Sequence, residues 1–365
     1  MTTSAAEDPQ KPDPGAVRRA VVERAAAQLT HDRVHLTPAA RRALVALGDE
    51  LRRAGPDGWS RPMAAGAPAA RSTFDEQVGP DAAEALIAAG LATAVGTDLL
   101  LAVTIVEIGG VLTVIPKVAW GDEVVYLGPD SAHLAEAVLR LVPHGERAVD
   151  LGTGTGLLAA LLARRFRHVV ATDLALSVAV AAELTLALNR FPPGRRQVVC
   201  LADVAAGLRP RSFDLVAGNA PWVPLAADSR APRDLFSHGG DLGSELPLRF
   251  IRDGAQCLRP GGVAITLALD VTVRADDASA AQHQPLAAVC DELEDDGFVT
   301  RRIATPFNRE RQGLADLMRS RQPKLEDATH VAVIVARPRH DGDGRGSLQV
   351  AIDALERRWA ATRPG

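Results

Sequence analysis

Asp150, Gly152, Gly154 and Gly156 fall at alternate positions in Ala148-Val-Asp-Leu-Gly-Thr-Gly-Thr-Gly156, a run that leads from a short apolar strand pattern into the apolar helical pattern LLAALLARRF. Glycine lets a backbone approach a ligand closely and take positive φ, and a helix start supplies free N–H groups. The loop is shaped to hold something flat and polar. A carboxylate just ahead of the first glycine would repel a pyrophosphate and suits a cationic ligand, which sets D-x-G-x-G-x-G apart from the dinucleotide pattern G-x-G-x-x-G. About twenty residues on, HVVATD places Asp173 at the end of a second strand, where a carboxylate can accept from both hydroxyls of a ribose. CLAD places Asp203 at the end of a third, within reach of an adenine amino group. Taken singly, each acid also reads as a strand-end or helix-cap carboxylate.

Over roughly Tyr126 to Arg337 this pattern resembles the class I S-adenosylmethionine-dependent methyltransferases. The resemblance implies a seven-stranded sheet with a reversed last strand and the cofactor over the strand C-terminal ends. It implies that Asp150, Gly152, Gly154 and Gly156 line the methionine part of S-adenosylmethionine, Asp173 the ribose and Asp203 the adenine, with Leu174 also among the cofactor-binding residues. Tyr126 stands where this family often folds over the cofactor, although core packing also accounts for it.

The fourth strand pattern, FDLVAGN, runs into Asn219-Ala220-Pro221-Trp222, which is similar to the N-P-P-[YFW] motif of methyltransferases acting on planar nitrogens. These include the glutamine methyltransferases of release factors and the adenine-N6 enzymes. An NH2 conjugated to a carbonyl or a ring is a poor nucleophile until acceptors hold its protons. The resemblance implies that the Asn219 side-chain oxygen and the Ala220 carbonyl accept those protons while Trp222 stacks on the planar group. Ala220 replaces the first proline of the motif, which leaves the carbonyl but removes the stiffness of the ring. A strand-ending turn with Trp222 in the core is the alternative. The following Ser237-His-Gly-Gly-Asp-Leu-Gly243 resembles the loop after the motif in the glutamine group, and Arg230, Arg233 and His238 are candidates for recognising the acceptor, or solvated loop charges.

These residues need a scaffold. From Arg147 onward the apolar runs RAVDL, HVVATD, QVVCLAD, FDLVAGN and GVAITLAL alternate with helical patterns, which argues a parallel sheet covered on both faces. FVTRRIATP and THVAVIVARP add two strands able to close the sheet as a hairpin-like pair. The fold class is α/β, a Rossmann-like seven-stranded doubly wound sheet, preceded by a mostly helical, winged-helix-like domain. Residues 1–16 read as a disordered tail, 17–120 as a helical and hairpin cap domain, 121–338 as the S-adenosylmethionine-binding catalytic domain, and 339–365 as a linker and C-terminal helix. Residues 99–116, with Gly109-Gly110 between two β-branched halves, read as one hairpin rather than a membrane span. Asp130 or Ser131 is placed to cap the helix after the Gly128-Pro129 turn. The apolar stripe in LQVAIDALERRWAA suits docking on the body or on a second copy, as a homodimer.

The 365 residues are 47% hydrophobic and 24% charged, and 41 Lys and Arg against 45 Asp and Glu leave a net charge of -4. No global field draws a phosphate polymer, so nucleic acid is disfavoured as a partner unless a local basic patch exists. Three scattered cysteines argue against a disulfide framework and for a reducing cytoplasm, and the nine histidines form no metal-ligand spacing. The expectation is an enzyme that methylates an amide or other planar nitrogen on a small molecule or protein. Transfer or cyclisation of the aminocarboxypropyl arm, releasing methylthioadenosine, is one alternative, and a nucleic-acid-binding regulatory protein is another.

Overall fold

The computed structural model describes residues 37–116, 127–225, 237–274, 284–310, 313–339 and 345–361. The chain divides into two units, residues 1–106 with 115–121 and residues 107–114 with 122–365.

In the first unit, Thr37 Oγ1 accepts from the Ala40 N–H at 3.1 Å and Pro38 takes the first helical position, so α1 (Pro38–Ala54) starts where cap and proline direct it. Its buried residues Ala40, Ala43, Leu44, Leu47 and Leu51 follow helical spacing. After α2 (Ser60–Ala64), β1 (Ala69–Ala70), α3 (Arg71–Gln77) and α4 (Pro80–Ala88), the strands β2 (Ala92–Val95) and β3 (Asp98–Leu101) complete a three-stranded antiparallel sheet in the order β1-β3-β2. The single hairpin expected over residues 99–116 is therefore two. Gly96, at φ +61°, turns the chain so that residues 99–101 pair with 92–94, and Gly109-Gly110 closes a separate pair, β4 (Val103–Ile108) and β5 (Val111–Pro116). Each turn needs the positive φ that glycine adopts without strain, and the sequence contains both corners.

The second unit holds α5 (Pro129–Leu141), β6 (Gly145–Leu151), α6 (Leu157–Ala163), β7 (Phe166–Asp173), α7 (Leu176–Leu188), β8 (Arg196–Leu201) and β9 (Phe213–Asn219). It continues with α8 (Glu245–Cys257), β10 (Leu258–Val273), α9 (Pro285–Asp295), β11 (Val299–Ala304), α10 (Phe307–Glu310), α11 (Leu314–Arg321), β12 (Leu325–Ala336) and α12 (Arg345–Ala361). Seven strands form one sheet in the order β11-β12-β10-β9-β6-β7-β8. β8, β7, β6, β9 and β10 run parallel, and β12 is antiparallel to both β10 and β11. This is the seven-stranded, doubly wound architecture with a reversed strand that the sequence implies.

Period-two alternation sorts each strand between two cores. Ala148, Ala171, Leu215, Ala217, Ile265 and Ile334 face one helical layer, while Val149, Leu151, Val216, Ala264, Val333 and Val335 face the other. Ile352, Leu355 and Trp359 of α12 are buried in the first core, and Trp359 Nε1 donates to Glu136 of α5 at 3.1 Å, so the C-terminal helix docks on the body. Residues 107–114, the tip of the last hairpin, pack against α7. The Asn189 side chain donates to the Leu112 carbonyl at 2.8 Å and accepts from its N–H at 3.1 Å, and Thr185 Oγ1 accepts from the Val114 N–H at 2.9 Å. The buried strand thereby finds partners for its backbone. No described helix is long and apolar enough to cross a membrane.

Candidate functional site

Strand order in the sheet reverses between β6 and β9, and in open α/β sheets the crevice outside the carboxyl ends at such a switch point receives ligands. Leu151 pairs with Gly218, so the glycine loop after β6 and Asn219 at the end of β9 emerge side by side.

Asp150, near the end of β6, is buried, and its Oδ2 accepts from Thr153 Oγ1 at 2.7 Å and from the Ala159 N–H at 3.0 Å. The carboxylate thus ties the glycine loop to the first turn of α6. Burial pushes its carboxyl up to about 7 against the pull of those two hydrogen bonds, and the Asp173 charge adds to the rise. A cation nearby would restore the ionised form. Gly152, Gly154 and Gly156 all take positive φ, at +62°, +55° and +77°. A Cβ on Gly156 would stand 2.7 Å from Ala182 Cα, so this glycine also lets the turn approach α7.

Asp173 ends β7 half-buried, with Oδ2 accepting from the Gly154 N–H at 3.1 Å and Oδ1 from the Ala175 N–H at 3.2 Å. Leu174 beside it is 60% exposed, an apolar shelf at the rim of the loop. Asp203 lies just beyond β8, exposed, in an ion pair at 2.9 Å with Arg249 of α8. The glycines, Asp150, Asp173 and Leu174 therefore form one cradle, with Asp203 at its margin and partly engaged.

Asn219 opens the second part of the site. Its Nδ2 donates to Asp130 Oδ2 and to Ser131 Oγ, both at 3.2 Å, while its Oδ1 is buried without a hydrogen-bond partner among the described residues. Trp222 Nε1 donates to the same Asp130 oxygen at 3.4 Å, and Asp130 itself is 1% exposed. Asn219, Ala220, Pro221, Trp222 and Asp130 line a cavity of about 200 Å³ that Phe307, Met318 and others close. The indole packs edge-on to Phe307 at 5.4 Å and to His330 at 5.0 Å, so Trp222 is at once a cavity wall and part of a core. Burial, with His133 adding to it, holds His330 down to about 3, so a neutral ring sits behind the indole.

The segment from Ser237 to Gly243 folds against the Trp222 loop. Val223 N–H donates to the Ser237 carbonyl at 2.8 Å, Gly239 N–H to the Val223 carbonyl at 3.0 Å, and Leu225 N–H to the Gly240 carbonyl at 3.0 Å. A Cβ on Gly239 would lie 2.6 Å from the Pro221 oxygen, which explains the glycine. Ser237 reaches the cavity wall, whereas His238 is not among the lining residues. Tyr126, Arg230 and Arg233 lie outside the described residues.

Sequence reasoning missed Asp130 as a site residue and placed it, or Ser131, as the cap of the next helix. The structure puts Gly128 at the N-cap and Pro129 inside the first turn, where a missing N–H costs nothing, and Asp130 accepts from the Ser131 N–H through Oδ1 at 2.9 Å while its Oδ2 faces Asn219 and Trp222. It also missed Phe307, Leu314, Leu317, Met318 and Arg321, which reach the cavity from α10 and α11. The only available signal was an acid next to a Gly-Pro turn, since an amphipathic helix carries no mark of the cavity it closes.

Residues 129–272 match the family described as the methyltransferase small domain. The chain is 32% identical over 146 residues to the release factor glutamine methyltransferase of Koribacter versatilis, covering 37% of this chain and 51% of that protein. It is 34% identical over 125 residues to the ribosomal protein uL3 glutamine methyltransferase of Bradyrhizobium diazoefficiens, covering 32% and 39%. It is 36% identical over 102 residues to the tRNA1(Val) (adenine(37)-N6)-methyltransferase of Pasteurella multocida, covering 26% and 41%. The chain spans about half the length, or less, of these curated relatives.

Proposed function

We propose, for a chain whose residues 129–272 are a methyltransferase small domain in the class I S-adenosylmethionine-dependent fold, that it transfers a methyl group to the amide nitrogen of a glutamine side chain on a protein. The observation that carries this reading is Asn219 Oδ1, a buried acceptor without a donor at a cavity walled by an indole. An unmet buried acceptor costs about 1–3 kcal/mol, so a site that keeps one is built to receive a donor. The relatives named for glutamine methylation support the amide as that donor.

The residues of the cradle fit S-adenosylmethionine. Three positive-φ glycines clear space for a flat ligand, the buried Asp150 carboxyl calls for a cationic group such as an ammonium, Asp173 faces the loop as a ribose acceptor, and Leu174 offers an apolar face. Bound there, the cofactor supplies a methyl group on a sulfonium, a good leaving group. The protein's share is alignment and the exclusion of water. Asn219 Oδ1 accepts a hydrogen bond from one amide N–H and the Ala220 carbonyl from the other, which draws nitrogen electron density away from the amide carbonyl, and the one proton released on methylation passes to solvent. Asp130 and Ser131 fix the Asn219 amide with its oxygen free, and Trp222 flanks the planar group. Ala220 is 1% exposed, so packing takes over the stiffness that proline supplies in the related motif.

The test is mass spectrometry of the full chain incubated with S-adenosylmethionine and a purified release factor or ribosomal protein. Gain of one methyl mass on a glutamine, with adenosylhomocysteine as by-product, is expected. Methylthioadenosine in its place would overturn methyl transfer in favour of the aminocarboxypropyl arm, and failure to modify any glutamine would overturn the acceptor.

A further inference from the structure

The parallel strands have a second edge, at their N-terminal ends, remote in the sheet from the glycine loop. There Gly145 opens β6, Phe166 opens β7 and Phe213 opens β9, while the antiparallel β12 ends at Ala336. A cleft of about 610 Å³ runs along this edge. Five of its thirteen lining residues are arginines, Arg165, Arg167, Arg195, Arg259 and Arg339, brought together from separate stretches of chain.

Of the two acids in the lining, Asp214 offsets Arg259 alone. Asp214 spends one oxygen on the Glu146 and Arg147 N–H groups, at 3.0 and 2.8 Å, and the other on an ion pair with Arg259. Glu146 is the other acid, and it is exposed. Arg165, Arg167, Arg195 and Arg339 have no carboxylate partner among the described residues. Arg337, whose carbonyl accepts from Gly261 N–H at 2.8 Å, adjoins the cleft, with the Arg211 and Asp296 charges acting on it in opposite senses. Burial, and then the neighbouring Arg211 charge, holds Arg337 below the usual guanidinium range. A chain with a net charge of -4 thus concentrates unneutralised positive charge on one hollow.

We propose that this edge binds the phosphodiester backbone of a nucleic acid. Planar guanidinium forks match phosphate oxygens in pairs, which a lysine ammonium does not do, and all five cleft positions that carry a positive charge independent of pH are arginines. Of the four arginines without a carboxylate partner, Arg165, Arg167 and Arg339 are exposed and Arg195 half-buried, spread along an open cleft. That layout suits a chain of phosphates better than one small anion, which needs buried polar groups converging on a point. Contacts of this kind position a strand without reading its bases. The proposal stands apart from the methyl-transfer reading, since it uses the opposite edge of the sheet and none of the cradle residues.

The experiment is fluorescence anisotropy of a labelled 20-nucleotide oligouridylate with the full chain, titrated from about 50 to 300 mM salt. Binding is expected at low salt, and with four guanidiniums on phosphates the slope of log K against log salt is about −3, at roughly −0.7 per contact. Arg165→Glu with Arg167→Glu should weaken binding at least about tenfold and flatten the slope by about 1.4, whereas Arg42→Glu on α1 should not. Adenosylhomocysteine affinity by calorimetry should stay unchanged in the double variant, which reports an intact fold whatever the acceptor proves to be. If charge reversal unfolds the protein, Arg165→Gln with Arg167→Gln carries the same test. Absence of binding at low salt, an equal effect of Arg42→Glu, or full displacement of the strand by millimolar inorganic phosphate would each overturn the proposal.

Discussion

Replacing Asp130 by Ala removes the one group that both Asn219 and Trp222 hold. Hydrogen bonds to a carboxylate contribute about 1.5–3 kcal/mol, and at 3.2 and 3.4 Å these two belong at the lower end, together about 3 kcal/mol of orienting energy. In rate terms that total sets a ceiling of about 100-fold on kcat. Ser131 Oγ remains at 3.2 Å from the amide and retains part of the alignment, so the expected loss is roughly 10- to 100-fold in kcat. Adenosylhomocysteine affinity should be nearly unchanged, because the cradle lies on β6 and β7. The buried indole N–H left without an acceptor should also lower Tm, by about 2–4 °C for each kcal/mol lost. A purely structural role would give the Tm loss with kcat intact. Asp130→Asn, which keeps an acceptor oxygen, should recover most of the rate. In an Asn219→Ala background, Asp130→Ala should cost less than about a further twofold, since the two act as one unit. Single-turnover methyl transfer is the assay. A kcat for Asp130→Ala within about twofold of the parent, or losses that multiply in the double variant, would refute the positioning argument.

Asp173→Ala should weaken adenosylhomocysteine binding by about 10- to 100-fold, read by calorimetry, because it removes a carboxylate acceptor and frees the Gly154 N–H; unchanged affinity would refute the cradle. Asp150 gives a pH signature. Its folded value of about 7 lies above the unfolded carboxylate value, so the protonated form favours the fold, and that contribution is complete below about pH 4 and lost as pH rises through about 7. Asp150→Asn should therefore gain stability over the parent at pH 8, by up to about a few kcal/mol and read as a higher Tm, with the gain shrinking toward pH 5. A difference in Tm that does not vary with pH would rule out a raised Asp150.

The glycine loop was legible before any fold was known, because its spacing, the acid ahead of it and the apolar helix after it are local properties of one strand-loop-helix unit. The strand runs were legible for the same reason, down to the two that close the sheet. The N-terminal hairpin was not, because Gly96 and Gly109-Gly110 both make good turns and alternation cannot tell which strand pairs with which. Asp130 was read as a cap because an acid after Gly-Pro usually is one, and only packing revealed that its side chain points inward to residues 89 and 92 positions away.

Local pattern thus settled the α/β class, a glycine loop between strand and helix with acids near the strand ends, and the presence of an Asn-Ala-Pro-Trp turn after a strand. Tertiary structure decided that β9 lies against β6, which places Asn219 beside the glycine loop. It also decided that α5 inserts Asp130 between Asn219 and Trp222, that Asn219 Oδ1 is left without a donor, and that arginines from separate loops meet at the far edge of the sheet. The division has one physical cause. Backbone propensity and side-chain alternation act over a few residues, whereas strand order, a buried acceptor and a shared electrostatic field are set by which distant segments the core brings together.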